Sequence, residues 1–224
     1  MTGGPPAADV DLVIFDCDGV LIDSEVIACG ADAELLTEIG YPITMEQVSA
    51  RFAGVPYPAI YAEIEQETGR PMPSDFAGRV KARILEKYRT ELLAIDGVAD
   101  LLARLRIPRC VASSSEPAKL ALGLIETGLY EALYPHIFSA TLVPRGKPHP
   151  DIFLYAAEQM GVPPARCLVV EDSVAGATAA RAAGMRCLGF AGGAHCAPGH
   201  DLRLREAGVL DVLQQMRDLT DWVA

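Results

Sequence analysis

The apolar positions of this chain fall into short runs that each end in polar or glycine residues. Val10 to Phe15, interrupted only by Asp11, runs into Asp16-Cys17-Asp18-Gly19. Cys110-Val111-Ala112 leads into Ser113-Ser114-Ser115, Cys167-Leu168-Val169-Val170 into Glu171-Asp172-Ser173, and Arg186 to Phe190 into Ala191-Gly192-Gly193. A weaker run, His136 to Ala140, precedes the loop that carries Lys147. Short β-branched runs separated by helical patterns predict βα units and a parallel sheet buried on both faces. The helical patterns between them have legible ends. Val98 to Leu105 has helical spacing, Pro117 opens a second helix, and Pro150 starts a third that Gly161 stops. Ser173 caps an alanine-rich helix from Val174 to Ala183, stopped by Gly184.

Between Ser24 and about Leu93 the pattern changes, and only helical periodicity is found. Ser24 or Asp23 can cap a helix reaching Ile39, ended by Gly40 and Pro42. Phe76, Val80, Ile84, Tyr88 and Leu92 repeat every four residues, which makes one apolar stripe along a helix. The expected architecture is therefore a doubly wound, Rossmann-like α/β core with a parallel sheet, formed by residues 1–23 and 94–224. An all-helical domain, 24–93, is inserted after the first strand. Inserts at that position tend to cover a site at the strand ends.

Composition narrows the partners. Half of the 224 residues are hydrophobic and 22% are charged, which suits a globular chain with one sizeable core and a smaller domain. A net charge of −11 works against nucleic acid and anionic membrane surfaces as partners. The six cysteines show no C-x-x-C spacing, and three lie in or beside expected core strands, where the thiol acts as a small hydrophobe. No apolar run reaches membrane-spanning length, and Met1 to Ala8 has no basic stretch followed by an apolar segment. A reduced, cytoplasmic protein, monomeric or a small homo-oligomer, is the expectation.

The chemistry lies where the strands stop. In an open parallel sheet, ligands bind outside the carboxyl ends of the strands. Asp-x-Asp-Gly by itself is also an ordinary turn signal. Here it recurs with other polar clusters: Asp16 and Asp18, Ser113, Lys147, and Glu171 with Asp172 all belong to one edge of the expected sheet. Carboxylates gathered on one point repel unless a hard cation such as Mg²⁺ holds them, and such a cation leaves positions for phosphate oxygens. A lysine and a serine hydroxyl can hold the remaining phosphoryl charge. Elsewhere, His195, Cys196 and His200 suggest zinc, but the Ala-Pro-Gly between them favours a plain loop after the last strand. The serine run lacks the Gly-x-Ser-x-Gly elbow of serine hydrolases.

Asp16 to Glu25, Val111-Ala112-Ser113, Gly146-Lys147-Pro148-x-Pro150-Asp151 and Val170-Glu171-Asp172-Ser173-x-x-Gly176 together resemble the four motifs of the haloacid dehalogenase-like superfamily. The helical insert resembles the cap of the branch that holds β-phosphoglucomutases and sugar-phosphate phosphatases. The resemblance implies a phosphatase in which Asp16 attacks phosphorus and Asp18 moves the proton. Ser113 and Lys147 would bind phosphoryl oxygens, with Ser114 beside them on the substrate. Mg²⁺ would be held by Asp16, the backbone carbonyl of Asp18, and Asp172, with Glu171 as a ligand or behind them. Cys17 should fill space in the sheet. Arg51 and Gly54 fall where related caps place a substrate loop; Arg51 also reads as an ordinary solvated arginine. The cap stretch resembles those of phosphatases acting on sugar or sugar-acid phosphates such as 6-phosphogluconate. Asp18 argues against the dehalogenating and phosphonate-cleaving branches. Ala28 and Glu116 stand where the mutases carry His and Lys, so hydrolase is favoured over mutase. A non-catalytic binding protein on the same scaffold is the remaining alternative, opposed by the intact acid pair.

Overall fold

The computed structural model describes residues 10–52, 55 and 57–223. The chain divides into two compact units, Met1–Asp23 with Leu93–Ala224, and Ser24–Leu92.

The first unit is built on six parallel strands: β1 (Leu12–Phe15), β2 (Arg109–Ser113), β3 (Ile137–Ser139), β4 (Cys167–Glu171), β5 (Arg186–Phe190) and β6 (Val212–Leu213). Their order is β3-β2-β1-β4-β5-β6. This is the expected doubly wound sheet, and β1 lies at its switch point, with β2 on one side and β4 on the other. Val111 and Val170 both pair with Phe15, so the residues that follow β1, β2 and β4 emerge side by side. The Val, Ile, Leu, Phe and Cys side chains of β1 and β4 are fully buried, as central parallel strands require.

The helices of the second unit come first in the chain: α1 (Ser24–Glu38), α2 (Met45–Phe52), α3 (Tyr57–Thr68) and α4 (Phe76–Glu91). Those of the sheet unit are α5 (Val98–Arg104), α6 (Pro117–Glu126), α7 (Tyr130–Leu133), α8 (Asp151–Met160), α9 (Val174–Ala182), α10 (His200–Glu206) and α11 (Thr220–Val223). One core cluster joins Leu12, Ile14, Cys110, Cys167, Val169 and Cys187 of the strands to Ile152, Phe153 and Ala156 of α8 and the alanines of α9. Small side chains on α9 let it approach the sheet closely. Four of the six cysteines are spent as filler here or beside it (Cys17, Cys110, Cys167, Cys187), all buried and none in a disulfide. The two-residue β6 escaped sequence reading.

In the second unit no strand occurs among the described residues. The four-residue stripe of α4 is buried, from Phe76 to Tyr88, and Tyr61 meets Phe76 edge to face at 5.7 Å. Ion pairs line its outside, among them Arg79–Glu38 at 2.7 Å, Arg83–Glu34 at 2.6 Å and Lys87–Glu34 at 2.9 Å. Among the described residues no helix is long and apolar enough to cross a membrane.

Candidate active site

Strand β1 stops because its next residues turn back on themselves. The Cys17 carbonyl accepts the N–H groups of Leu21 at 2.9 Å and Ile22 at 3.2 Å. Gly19 sits at φ +76°, and a Cβ there would overlap the Asp172 carboxylate, so only glycine lets the two loops close on each other. The tight turn sends Asp16 and Asp18 in different directions.

Asp16 stays at the strand end, 7% exposed, with its N–H on the Val170 carbonyl at 3.0 Å. Lys147 Nζ donates to Asp16 Oδ1 at 2.6 Å and to Glu171 Oε1 at 2.7 Å, and its side chain is 5% exposed. The aliphatic stem belongs in this apolar setting, and the ammonium lies 4.9 Å over the Phe153 ring. Glu171 is fully buried at the end of β4. Its Oε2 accepts from Ser173 N at 2.6 Å and Ser173 Oγ at 2.9 Å, so protein donors engage both of its oxygens. Ser173 Oγ in turn accepts from Gly176 N at 3.0 Å, the cap that opens α9.

Asp18 reaches the other way. Its Oδ2 accepts from Ser115 Oγ at 2.6 Å and its Oδ1 from Lys119 Nζ at 3.0 Å. Ser113 is buried at the end of β2 with its Oγ accepting from Ser115 N at 3.0 Å, while Ser114 is exposed beside it. The turn at Asp172 is held from the segment that follows β5: His195 Nε2 lies 3.0 Å from Asp172 Oδ2, and His200 Nε2 is 2.6 Å from the Asp172 carbonyl.

Asp16, Glu171 and Asp172 bring ligand oxygens within 4.8 Å of one another, all three residues buried. Burial drives the Asp16 pKa well above the ordinary carboxyl range; Lys147 opposes this, and Glu171, Asp172 and Asp18 push it further up. Lys147 is held protonated, because its two carboxylate partners outweigh the cost of burial. The cluster thus concentrates more negative charge than its lysine offsets, and the donor set is all oxygen. Both properties fit a hard divalent cation. Burial likewise raises the Cys17 thiol far above its ordinary range, which leaves it inert.

The structure therefore brings Asp16, Asp18, Ser113, Lys147, Glu171 and Asp172 to one end of the sheet, with Ser114 at the margin. Arg51 belongs to the second unit, where it donates to Glu63 at 2.6 Å, Glu67 at 2.7 Å and the Tyr41 hydroxyl at 2.8 Å. Gly54 lies outside the described residues. Sequence reading missed Ser115, Lys119 and the grip of His195 on Asp172. The spacing of Ser115 and Lys119, one helical turn across the Pro117 helix start, was the available signal.

The profile of the haloacid dehalogenase-like hydrolase family matches residues 10–184. A 6-phosphogluconate phosphatase of Escherichia coli is 33% identical over 190 residues, covering 84% of this chain and 86% of its own. Among solved structures, a haloacid dehalogenase-like protein of unknown function from Agrobacterium tumefaciens is 45% identical, covers 94% of this chain and 96% of its own, and superposes with TM-score 0.89. A Deinococcus radiodurans family hydrolase, solved with phosphate and sodium, is 35% identical with TM-score 0.81, covering 95% of this chain and 94% of its own. The chain belongs to the haloacid dehalogenase-like hydrolases and is a phosphoric monoester hydrolase.

Proposed function

We propose that this enzyme hydrolyses a small phosphorylated sugar or sugar acid, that it needs Mg²⁺, and that the phosphoryl group passes through Asp16. The observation that carries the reading is the different surroundings of two acids one residue apart. Asp16 is buried against Lys147 in the acidic cluster, and Asp18 is turned to Ser115 and Lys119. This separation supports a reading in which Asp16 meets phosphorus and Asp18 handles a proton.

In the first step an Asp16 carboxylate oxygen attacks phosphorus and the bond to the ester oxygen breaks. Asp18 gives that oxygen its proton and releases an alcohol. In the second step Asp18 takes a proton from water, the water oxygen bonds to phosphorus, and the acyl phosphate bond to Asp16 breaks. Ser115 and Lys119 fix the Asp18 carboxylate for both transfers. Lys147 and Ser113 would hold phosphoryl oxygens, with Glu171 keeping Lys147 in place and protonated. Asp16, the Asp18 backbone carbonyl and Asp172 would hold Mg²⁺, which supplies positive charge for the phosphoryl oxygens. A sugar-acid substrate is supported by the similarity to the Escherichia coli 6-phosphogluconate phosphatase. The helical unit would act as a cap that selects the substrate.

The test is phosphate release from a panel of sugar phosphates, sugar-acid phosphates and phosphoglycolate, with Mg²⁺ and with a chelator. Mg²⁺-dependent release on one or two compounds is expected. Asp16→Asn should lower kcat by more than about 10⁴-fold with an unchanged circular dichroism spectrum, the scale seen when a nucleophile is removed. Substantial turnover in that variant would remove Asp16 from the role. No release from any compound, with turnover appearing only when a bisphosphate primer is added, would make the enzyme a mutase.

A further inference from the structure

Beyond β5 the chain forms a loop, residues 191–199, whose polar side chains the phosphatase reading does not use. His195, Cys196 and His200 bring one ligand atom each within 4.8 Å of one another, although their sequence spacing favoured a plain loop. Cys196 Sγ lies 3.5 Å from His195 Nε2, and the two imidazole rings stand edge to face at 5.8 Å. Asp172 Oδ2 is 3.0 Å from that same Nε2. In a tetrahedral zinc site, Zn–N, Zn–O and Zn–S lengths put neighbouring ligand atoms about 3.3–3.6 Å apart, so the Cys196–His195 separation already matches an ion's demand and the His195–Asp172 separation need open by only about 0.3 Å.

The surroundings leave room for this cluster. A Cβ on Gly193 would fall 2.7 Å from the His195 ring, and one on Gly19 would fall 2.9 Å from His195 Cε1. Two glycines on two different loops are thus what admits the imidazole next to Asp172. Cys196 is also distinct among the cysteines: the other five are buried and it is half-buried, within reach of solvent ions. The donor set of two imidazoles, a thiolate and a carboxylate is softer than the all-oxygen cluster of Asp16, Glu171 and Asp172. By ligand softness it prefers a zinc-class ion to magnesium.

We propose that His195, Cys196 and His200, with Asp172 as fourth ligand, form a zinc-class metal site next to the catalytic cluster, and that its occupation inhibits the enzyme. On binding, the Cys196 thiol loses its proton to solvent and the thiolate coordinates the ion, while a His200 ring nitrogen exchanges its present partner, the Asp172 carbonyl at Nε2 or the Arg203 guanidinium at Nδ1, for the metal. Asp172 is the shared group. An ion coordinated by Asp172 Oδ2 together with His195 withholds that carboxylate from the Mg²⁺ it would otherwise hold. The inhibition, though not the binding, rests on the function proposed above. The class of effector is a borderline divalent transition metal, with Zn²⁺ as the probe.

Binding is read without turnover. Chelator-treated, full-length protein is titrated with Co²⁺, then with Zn²⁺ against a chromophoric chelator. A single equivalent of Co²⁺ should give a thiolate-to-cobalt charge-transfer band that Zn²⁺ abolishes. Cys196→Ser should lose the band and bind Zn²⁺ at least about 10–100-fold more weakly, since a direct ligand should matter no less than an outer partner. His200→Gln should weaken Zn²⁺ binding while the band persists. With saturating Mg²⁺, Zn²⁺ should inhibit the wild type, and Cys196→Ser should keep basal activity and resist. Absence of the band, its survival in Cys196→Ser, or equal Zn²⁺ affinity in that variant would overturn the site. A protein that shows the band but releases no phosphate from any substrate would keep the metal site and lose the proposed function instead.

Discussion

The two units use the same charged residue types in opposite ways. In the sheet unit, Asp16, Glu171, Asp172 and Lys147 are removed from water at the ends of hydrophobic strands. In the helical unit, Arg51, Arg79, Arg83 and Lys87 meet Glu34, Glu38, Glu63 and Glu67 on solvent-facing sides of helices. Burying ions costs several kcal/mol each unless they are fully partnered, whereas exposed pairs are nearly neutral to stability. A fold keeps the first arrangement where it serves chemistry, and the second serves solubility. Charge substitutions should therefore be severe in one unit and mild in the other.

The largest effect is expected at Lys147. Lys147→Met keeps the side-chain volume but leaves Asp16 and Glu171 buried without their shared cation. Removing one partner of a buried pair costs about 3–5 kcal/mol, so chemical denaturation should show a loss of that order, with phosphatase activity abolished. A melting midpoint within a degree of wild type would mean that the cluster is far better hydrated than its burial indicates.

Gly176→Ala comes next, and it sharpens the comparison because no charge is altered. A Cβ at Gly176 would overlap the Glu171 carboxylate, so either α9 or Glu171 must move. Overpacking of this kind costs about 1–3 kcal/mol. The displaced Glu171 also releases Lys147, and kcat should fall together with stability. Stability loss with full kcat would show that Lys147 does not depend on Glu171 for its position.

These effects bear on what was legible before folding. The strands β1, β2, β4 and β5 could be read because each buried run is long enough to show and stops at polar residues. Asp16, Ser113 and Glu171 were located by those stops, and the α4 stripe by its four-residue repeat. Strand β6 could not be read from two residues; it exists because Gly189 and Phe190 of β5 offer an edge to Val212 and Leu213. The partners of Asp18 were hidden for a different reason. Ser115 and Lys119 matter only because the Cys17 turn rotates Asp18 toward α6, a consequence of backbone hydrogen bonds rather than of any pattern in the chain. The loop of His195 was similarly opaque. Its approach to Asp172 follows from the pairing of Glu171 with Gly189, which sets the ends of β4 and β5 side by side.

Within the helical unit the exception is Asp32, the group that most resembles the sheet unit. It is half-buried, and its pKa is raised to about 6, chiefly by burial, with Glu25 adding and the Tyr57 hydroxyl, 3.2 Å away, opposing. A folded-state pKa above the unfolded value means that the folded form binds the proton more tightly. Stability from this group is then complete below about pH 4 and is lost as pH rises through 6. Asp32→Asn, which can still accept from Tyr57, should therefore stabilise the protein by about 1–2 kcal/mol at pH 8, after discounting for partial exposure, and by nothing at pH 4. Denaturation at both pH values measures it, and an equal gain at each would remove burial of the charge as the cause.

The smallest effect should come from Arg51, which tests the mild side of the comparison and its role together. Its guanidinium already donates to Glu63, Glu67 and Tyr41, and it lies partly over the Phe52 ring at 4.8 Å. All three polar partners are near solvent, so Arg51→Ala should give a thermal melt indistinguishable from wild type. To bind a substrate, Arg51 would have to release two α3 carboxylates that its terminal nitrogen bridges. The expected outcome is thus an unchanged KM. A KM rise at constant kcat would mean that Arg51 leaves those glutamates for the substrate, because loss of uniform binding moves KM and not kcat. Such a result would make Arg51 a carrier of the specificity proposed for the helical unit, and would limit the contrast between the two units to stability alone.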